Sequence, residues 1–158
     1  MPAYFCLAFR FLDPAFHGQG DGRRREWPPS PLRAFQSLVA AAARQHRGTL
    51  GGSVKAALEW LEGQPPPAVI SPEGVEGSGY CLSVPNNAMD IVARAWCRGN
   101  YSNSGDASPA THRTMKVVHP TLLSEGAVTF VWPLPDPPTD EIREHTQVLS
   151  AIAPSVVA

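Results

Sequence analysis

Cysteine is scarce in this chain: Cys6, Cys81 and Cys97 are an odd number at wide spacings, and no Cys-x-x-Cys pair occurs. That pattern argues against a structural zinc site or a disulfide framework. Cys6 and Cys81 sit in apolar, strand-like runs and read as plain core residues. Long apolar runs are also missing. No uninterrupted stretch approaches the roughly 18 residues of a membrane span. Arg10 breaks the apolar N-terminal run with no cleavage-site context after it, so no secretory leader is expected. A cytoplasmic protein is the default, with no membrane partner. No histidine spacing suggests a metal site, and no cofactor is expected. A formal net charge of −1 gives composition no leaning toward nucleic acid.

What is present is proline and glycine, 17 and 13 residues, which predict long loops rather than tightly joined elements. The 158 residues, 43% hydrophobic, suffice for a single domain with a substantial core, and one domain over 1–158 is the expectation. Charge is unevenly distributed. Residues 1–47 hold Arg10, Arg23, Arg24, Arg25, Arg33, Arg44 and Arg47 against Asp13, Asp21 and Glu26. This local excess of positive charge can matter where the average does not.

Ala3–Leu12 reads as a first strand, apolar enough for burial on both faces. A loop over 13–29 follows, with His17 and the arginine triplet. Trp27-Pro28-Pro29 then forms a stiff elbow. Ser30 can cap a helix whose first residue, Pro31, has no N–H to leave unsatisfied. That helix is predicted from Pro31 to about Arg47. Leu32, Phe35, Leu38, Val39 and Ala42 lie on one side, and Arg33, Ser37, Ala40, Arg44 and Arg47 form a stripe on the other. The stripe is either a solvated face or a phosphate-tracking one.

A second helical piece runs from Ser53 to Gly63, which suits a left-handed cap before Pro65-Pro66-Pro67. Residues 64–77 read as a connector with a short extended piece at Ala68-Val69-Ile70. Tyr80–Val84 reads as a strand, and Asp90–Cys97 as either a helical turn or an extended rim. Residues 98–114 read as a mobile loop, too polar to order themselves. Ala127–Trp132 is a strong strand stopped by Pro133. Thr139–Ile152 is an amphipathic helix with Asp140 and Glu141 in its favoured first turn. Ser155-Val156-Val157-Ala158 reads as a strand just beginning.

Strand, helix, strand, strand, helix and incipient strand make the α+β, ferredoxin-like (RRM-type) β-α-β-β-α-β pattern with an antiparallel sheet. The last strand is half made, so the chain reads as truncated there.

Several stretches resemble one known family. They are Arg10-Phe11, Phe16-His17, Glu26-Trp27-Pro28-Pro29-Ser30-Pro31-Leu32-Arg33 and Leu38-Val39-Ala40-Ala41. Further along come Ala57-Leu58-Glu59-Trp60-Leu61-Glu62 with Pro65-Pro66-Pro67, then Val84-Pro85-Asn86-Asn87, His112-Arg113-Thr114-Met115-Lys116 and Phe130-Val131-Trp132-Pro133. Together they resemble the N-terminus of the CRISPR-associated fused subunit of subtype I-G, formerly I-U, of the RAMP superfamily. That subunit combines a five-type handle-binding half with a six-type processing half, and the resemblance reaches the five-type half only.

It implies a non-catalytic RNA-binding subunit of a type I (Cascade-like) effector complex in antiviral defence. Its partners would be the 5′ handle of the CRISPR RNA and the other subunits of the complex. The processing ribonuclease half is absent from the chain, so cleavage is not carried over.

The candidate RNA-contacting residues are Arg23, Arg24, Arg25, Trp27, Arg33, Arg44, Arg113 and Lys116. Guanidinium forks match phosphate oxygens, and an aromatic ring can stack on a base. Each has a plainer reading, as a solvated turn for the triplet and as packing against the proline elbow for Trp27. His17 is the one catalytic candidate. A metal-independent endoribonuclease acting on repeat RNA would need it as a base toward a 2′-hydroxyl, with Tyr4, Lys116 or His119 as partners. Such an enzyme is the first alternative, and a truncated protein-interaction remnant is the second.

Overall fold

The computed structural model describes residues 2–20, 24–86, 88–124 and 126–156, and these form two compact units. The first comprises residues up to 75 together with those from 121 onward; the second is 76–120. The architecture is α+β with antiparallel sheets.

In the first unit, β1 (Ala3–Arg10) runs antiparallel to β8 (Ala127–Leu134) along its whole length, from Ala3 opposite Leu134 to Arg10 opposite Ala127. On the other side of β8 lies β3 (Ala68–Ile70), giving the order β1-β8-β3. Residues opposite one another share a face. Phe5, Leu7, Val128, Phe130 and Trp132 turn to the core, where Phe5 meets Trp132 at 5.9 Å between ring centroids and Phe9 meets Phe130 at 5.6 Å.

The other face carries Tyr4, Cys6, Ala8 and Arg10, all exposed. The first strand is therefore buried on one face, not two, and Cys6 is no core residue. Cys81 is likewise exposed. An apolar run satisfies a strand buried on one side as readily as on both, because alanine and cysteine tolerate water.

Three helices cover the inner face: α1 (Pro31–Gln45), α2 (Gly52–Glu62) and α4 (Asp140–Ile152). The face of α1 that is most buried consists of Ala34, Leu38, Ala41 and Ala42, while Leu32 is exposed. Alanines let the helix sit close to the sheet, so the contact ridge lies one step round from the larger residues. The helix ends two residues earlier than predicted. Arg47 takes a left-handed conformation (φ 53°) beside Gly48 (φ 85°), which removes it from the helical stripe. Gly63 closes α2 in a right-handed conformation (φ −77°), not a left-handed one. Trp60 of α2 packs on Phe5 and stacks on His145 of α4, so these rings join sheet to helices.

Pro133 does not stop β8. It lies opposite Tyr4 on β1, and the pairing with β3 spans only Thr129–Val131, so the missing proline N–H faces no strand there. A smaller sheet, β2-β7-β4, is built from β2 (Ala15–Phe16), β7 (Thr121–Leu123) and β4 (Gly74–Glu76). Segment 13–29 thus contributes a short strand in place of plain loop, and 64–77 adds β4 to the extended piece expected at Ala68–Ile70.

The second unit centres on a ribbon of β5 (Tyr80–Pro85) and β6 (Arg113–Val118), paired antiparallel from Tyr80–Val118 to Pro85–Arg113. Sequence reasoning takes Tyr80–Val84 as the second strand of the main sheet. The strand in that place is Ala68–Ile70, which directly follows α2 and pairs Val69 with Phe130. The ambiguous 90–97 segment is helical, α3 (Met89–Cys97). Within 98–114, two 3-10 turns, Gly105–Ala107 and Pro109–His112, bury Ala107 and Ser108, and the Trp96 indole donates to the Ala107 carbonyl at 2.9 Å. One aromatic anchor compensates for a composition too polar to collapse by itself.

Of the incipient last strand, Ser155 closes a 3-10 turn (Ala153–Ser155) and Val156 is extended; residues 157 and 158 lie outside the described residues.

Candidate functional site

The elbow is fixed by one carboxylate. Glu26 accepts from the Ser30 amide at 2.8 Å and from the Arg33 Nε–H, while the Ser30 hydroxyl accepts from the Arg33 amide at 3.4 Å. Ser30 and Glu26 together satisfy amides at the start of α1 that no helical carbonyl can reach. The free end of Arg33 turns back to the Gln19 carbonyl at 3.0 Å, so one guanidinium ties the helix to the preceding loop. Burial alone would raise the Glu26 carboxyl. The Ser30 amide and the Arg33 guanidinium outweigh that effect and hold the carboxyl below its ordinary range.

Trp27 packs edge-on against Phe16, with centroids 5.4 Å apart, and against Phe11 at 5.9 Å. Its indole N–H donates to the Pro72 carbonyl at 3.0 Å. Gly74 lies against the same ring: a Cβ there would stand 2.7 Å from Cδ1 of Trp27 and 2.5 Å from Thr121 Cγ2. The tryptophan is half-buried and engaged on several sides.

The arginines of this region differ in circumstance. Arg24 and Arg25 are exposed, with Arg25 bridged to Gln19 through the backbone. Arg23 lies outside the described residues. Arg44 reaches across to the Ser155 carbonyl at 3.0 Å. Two members of the predicted helical stripe, Arg33 and Arg44, therefore make specific contacts within the fold. No spacing rule reveals those partners, because Gln19 and Ser155 are distant in sequence.

The ribbon of the second unit is the other basic surface. Arg113 and Lys116 stand on β6, exposed, and Arg113 donates to the Ser83 carbonyl of the facing strand at 3.1 Å. Arginine has five N–H donors, so this bond leaves capacity for a further acceptor. Lys116 lies opposite Leu82, between two exposed apolar residues of its own strand, Met115 and Val117. Lys116 shares its face of the ribbon with Tyr80 and Leu82, while Arg113, Met115 and Val117 are on the other face. A shallow depression lined by Pro85, Asn86, Ala88, Thr114 and Lys116 adjoins it. The sequence signal that could have revealed β6 is the β-branched run through Thr114, Val117 and Val118.

His17, exposed, belongs to the first unit; His119, also exposed and packed over Gly79, belongs to the second. Tyr4 is on the outer face of β1. Among the described residues there is no group of three or more His, Cys, Asp or Glu side chains arranged to hold a metal ion. Nor is any described helix long and apolar enough to cross a membrane.

Exposed arginine or lysine side chains thus stand on each of the two units of this α+β chain. The family model of the CRISPR-associated protein, GSU0054 family, matches residues 5–158, and the chain belongs to that family. Its role is accordingly in CRISPR defence. No curated protein and no solved structure matches the chain.

Proposed function

We propose that this chain is an RNA-binding subunit of a type I CRISPR effector complex, of subtype I-G, and holds the single-stranded 5′ handle of the CRISPR RNA. The observation that carries the reading is the β5–β6 ribbon. Nearly every residue of both strands is exposed; Lys116 shares one face with Tyr80 and Leu82, and Arg113 shares the other with Met115 and Val117. Single-stranded RNA is commonly held in this way, with cations along the phosphates and flat or apolar side chains beneath the bases. Arg24 and Arg25 at the elbow add charge on the first unit. The order β1-β8-β3 supports the RAMP assignment, since it is the order of the first three strands of a ferredoxin-like sheet. In this reading Trp27 and Glu26 shape the elbow, and the RNA is met by the ribbon and the exposed arginines.

The test is fluorescence anisotropy of labelled handle RNA titrated with the chain over a range of salt concentrations. Binding should weaken with salt. Arg113→Ala and Lys116→Ala should each lower affinity and reduce the salt slope by about one for every phosphate no longer neutralised. Arg24→Ala with Arg25→Ala should act in the same direction. Affinity indifferent to salt and to all four substitutions would overturn the reading.

A further inference from the structure

The two faces of the β5–β6 ribbon are not equivalent. Alternation along the paired strands puts Tyr80, Leu82 and Val84 of β5 on one face with Val118, Lys116 and Thr114 of β6. The depression beside the ribbon belongs to that face, because Thr114 and Lys116 line it, and Pro85, Asn86 and Ala88 complete its wall. Its volume is about 530 Å³, within the range of sites that take one small ring system. All five residues belong to the second unit.

The lining is chemically one-sided. Asn86 closes the ribbon, its backbone N–H donating to the His112 carbonyl at 2.9 Å. Its side-chain oxygen accepts from the Ala88 amide at 2.9 Å. A backbone amide can only donate, so the atom turned to Ala88 is the oxygen, and the nitrogen with its two N–H donors lies on the other side of the group. Lys116, exposed, adds an ammonium that can only donate, while the Thr114 hydroxyl serves either way. No carboxylate lines the depression, and the acid at the start of α3, Asp90, is paired with Arg94 at 3.6 Å. Pro85 and Ala88 supply apolar surface on which a ring can lie.

We infer that this depression is a subsite for one unstacked RNA base and that it selects guanine over adenine. The inference rests on the reading of the ribbon as an RNA surface and adds to it the base that is read. Guanine presents two adjacent acceptors, O6 and N7, on one edge, whereas adenine sets its N6 amino donor beside N7. Single-stranded RNA offers that edge once a base is splayed out. The Asn86 nitrogen and Lys116 satisfy both guanine acceptors; with adenine, one of these donors would face the amino group. The common asparagine–adenine pair uses the side-chain oxygen together with the nitrogen, and here the Ala88 amide holds the oxygen.

The experiment measures fluorescence anisotropy of two labelled cytidine tracts of about nine nucleotides, within the span of one single-strand-binding module. One carries a central guanosine and the other a central adenosine, and each is titrated with the full chain. The guanosine tract should bind about fivefold more tightly or better, the lower end of what one well-placed base contact discriminates. Asn86→Asp keeps an oxygen for the Ala88 amide and replaces the donors by an acceptor. It lowers affinity for both tracts by its charge, so the ratio is the readout, and that ratio should fall to one or below. Arg113→Ala, on the other face, should leave the ratio as it was.

Salt-dependent binding with equal affinity for the two tracts would overturn the inference and leave the handle-binding reading standing. A guanosine preference that survives Asn86→Asp would overturn it as well. Absence of binding to either tract would overturn both readings together.

Discussion

Glu26 concentrates three tasks in one carboxylate: it caps a helix, orients Arg33, and through Arg33 holds the loop carbonyl of Gln19. Its partner is half exposed, so the ion pair itself is screened by water, and the hydrogen bonds to the charged group carry most of the stabilisation. A carboxyl held below its ordinary range contributes stability that is fully present above the unfolded value, about 4.3. That contribution is lost as pH falls through the lower folded value. In urea unfolding at neutral pH, Glu26→Gln should therefore be less stable than the parent by about 1–2 kcal/mol. The two curves should converge as the pH is lowered past the carboxylate range. A difference that persists undiminished at acid pH would show that the charge of Glu26 is not what matters.

At the scale of elements, what was readable and what was not divides along local and distant causes. The helix starts were legible, at Pro31 and within one residue at Thr139, because proline and serine act within one turn; in the structure Ser30 and Thr139 both cap. The body of β8 was legible because an apolar, β-branched run is a local signal too. The pairing of strands was not. Ala68–Ile70 was legible as a short extended piece, but its pairing with β8 follows from where α2 delivers it and not from its own residues.

The candidate site was legible in the same uneven way. The basic residues were visible in the sequence, but the engagement of Arg33 and Arg44 depends on carbonyls 14 and 111 residues away. The 98–114 segment shows the converse case, where a polar stretch carries two 3-10 turns and an indole hydrogen bond that its composition does not announce. Trp96→Phe keeps an aromatic ring and removes the bond to the Ala107 carbonyl. That change should cost about 1 kcal/mol of local stability. Limited proteolysis should then cut within residues 98–112 faster, with cleavage in the first unit unchanged. Equal resistance of both proteins would show that apolar packing alone orders the segment.

For the whole molecule, the two units differ in how they are built. The first holds the core in which Phe130, Leu38, Leu149 and Val128 are fully buried. The second is a ribbon and a short helix whose ends meet at the hydrogen bond from the Gly77 amide to the Pro120 carbonyl, 2.9 Å long. Replacing residues 78–119 by a Gly-Ser turn should leave the first unit folded. Its thermal midpoint should move by no more than a few degrees, about the change expected from ~1 kcal/mol in a domain of this size. Handle-RNA affinity should fall sharply in the same protein. Loss of the cooperative transition would show that the first unit needs the second in order to fold.

The closed neck at Gly77 and Pro120 has a consequence for how such a chain can change over time. When two chain ends are already side by side, the entropy of closing whatever lies between them grows only with the logarithm of its length. A segment closed by such a neck can be lengthened or shortened at little entropic cost. Residues 77–120 are thus where a change of length is accommodated first, and the register of β8 on β1 is where change is tolerated least.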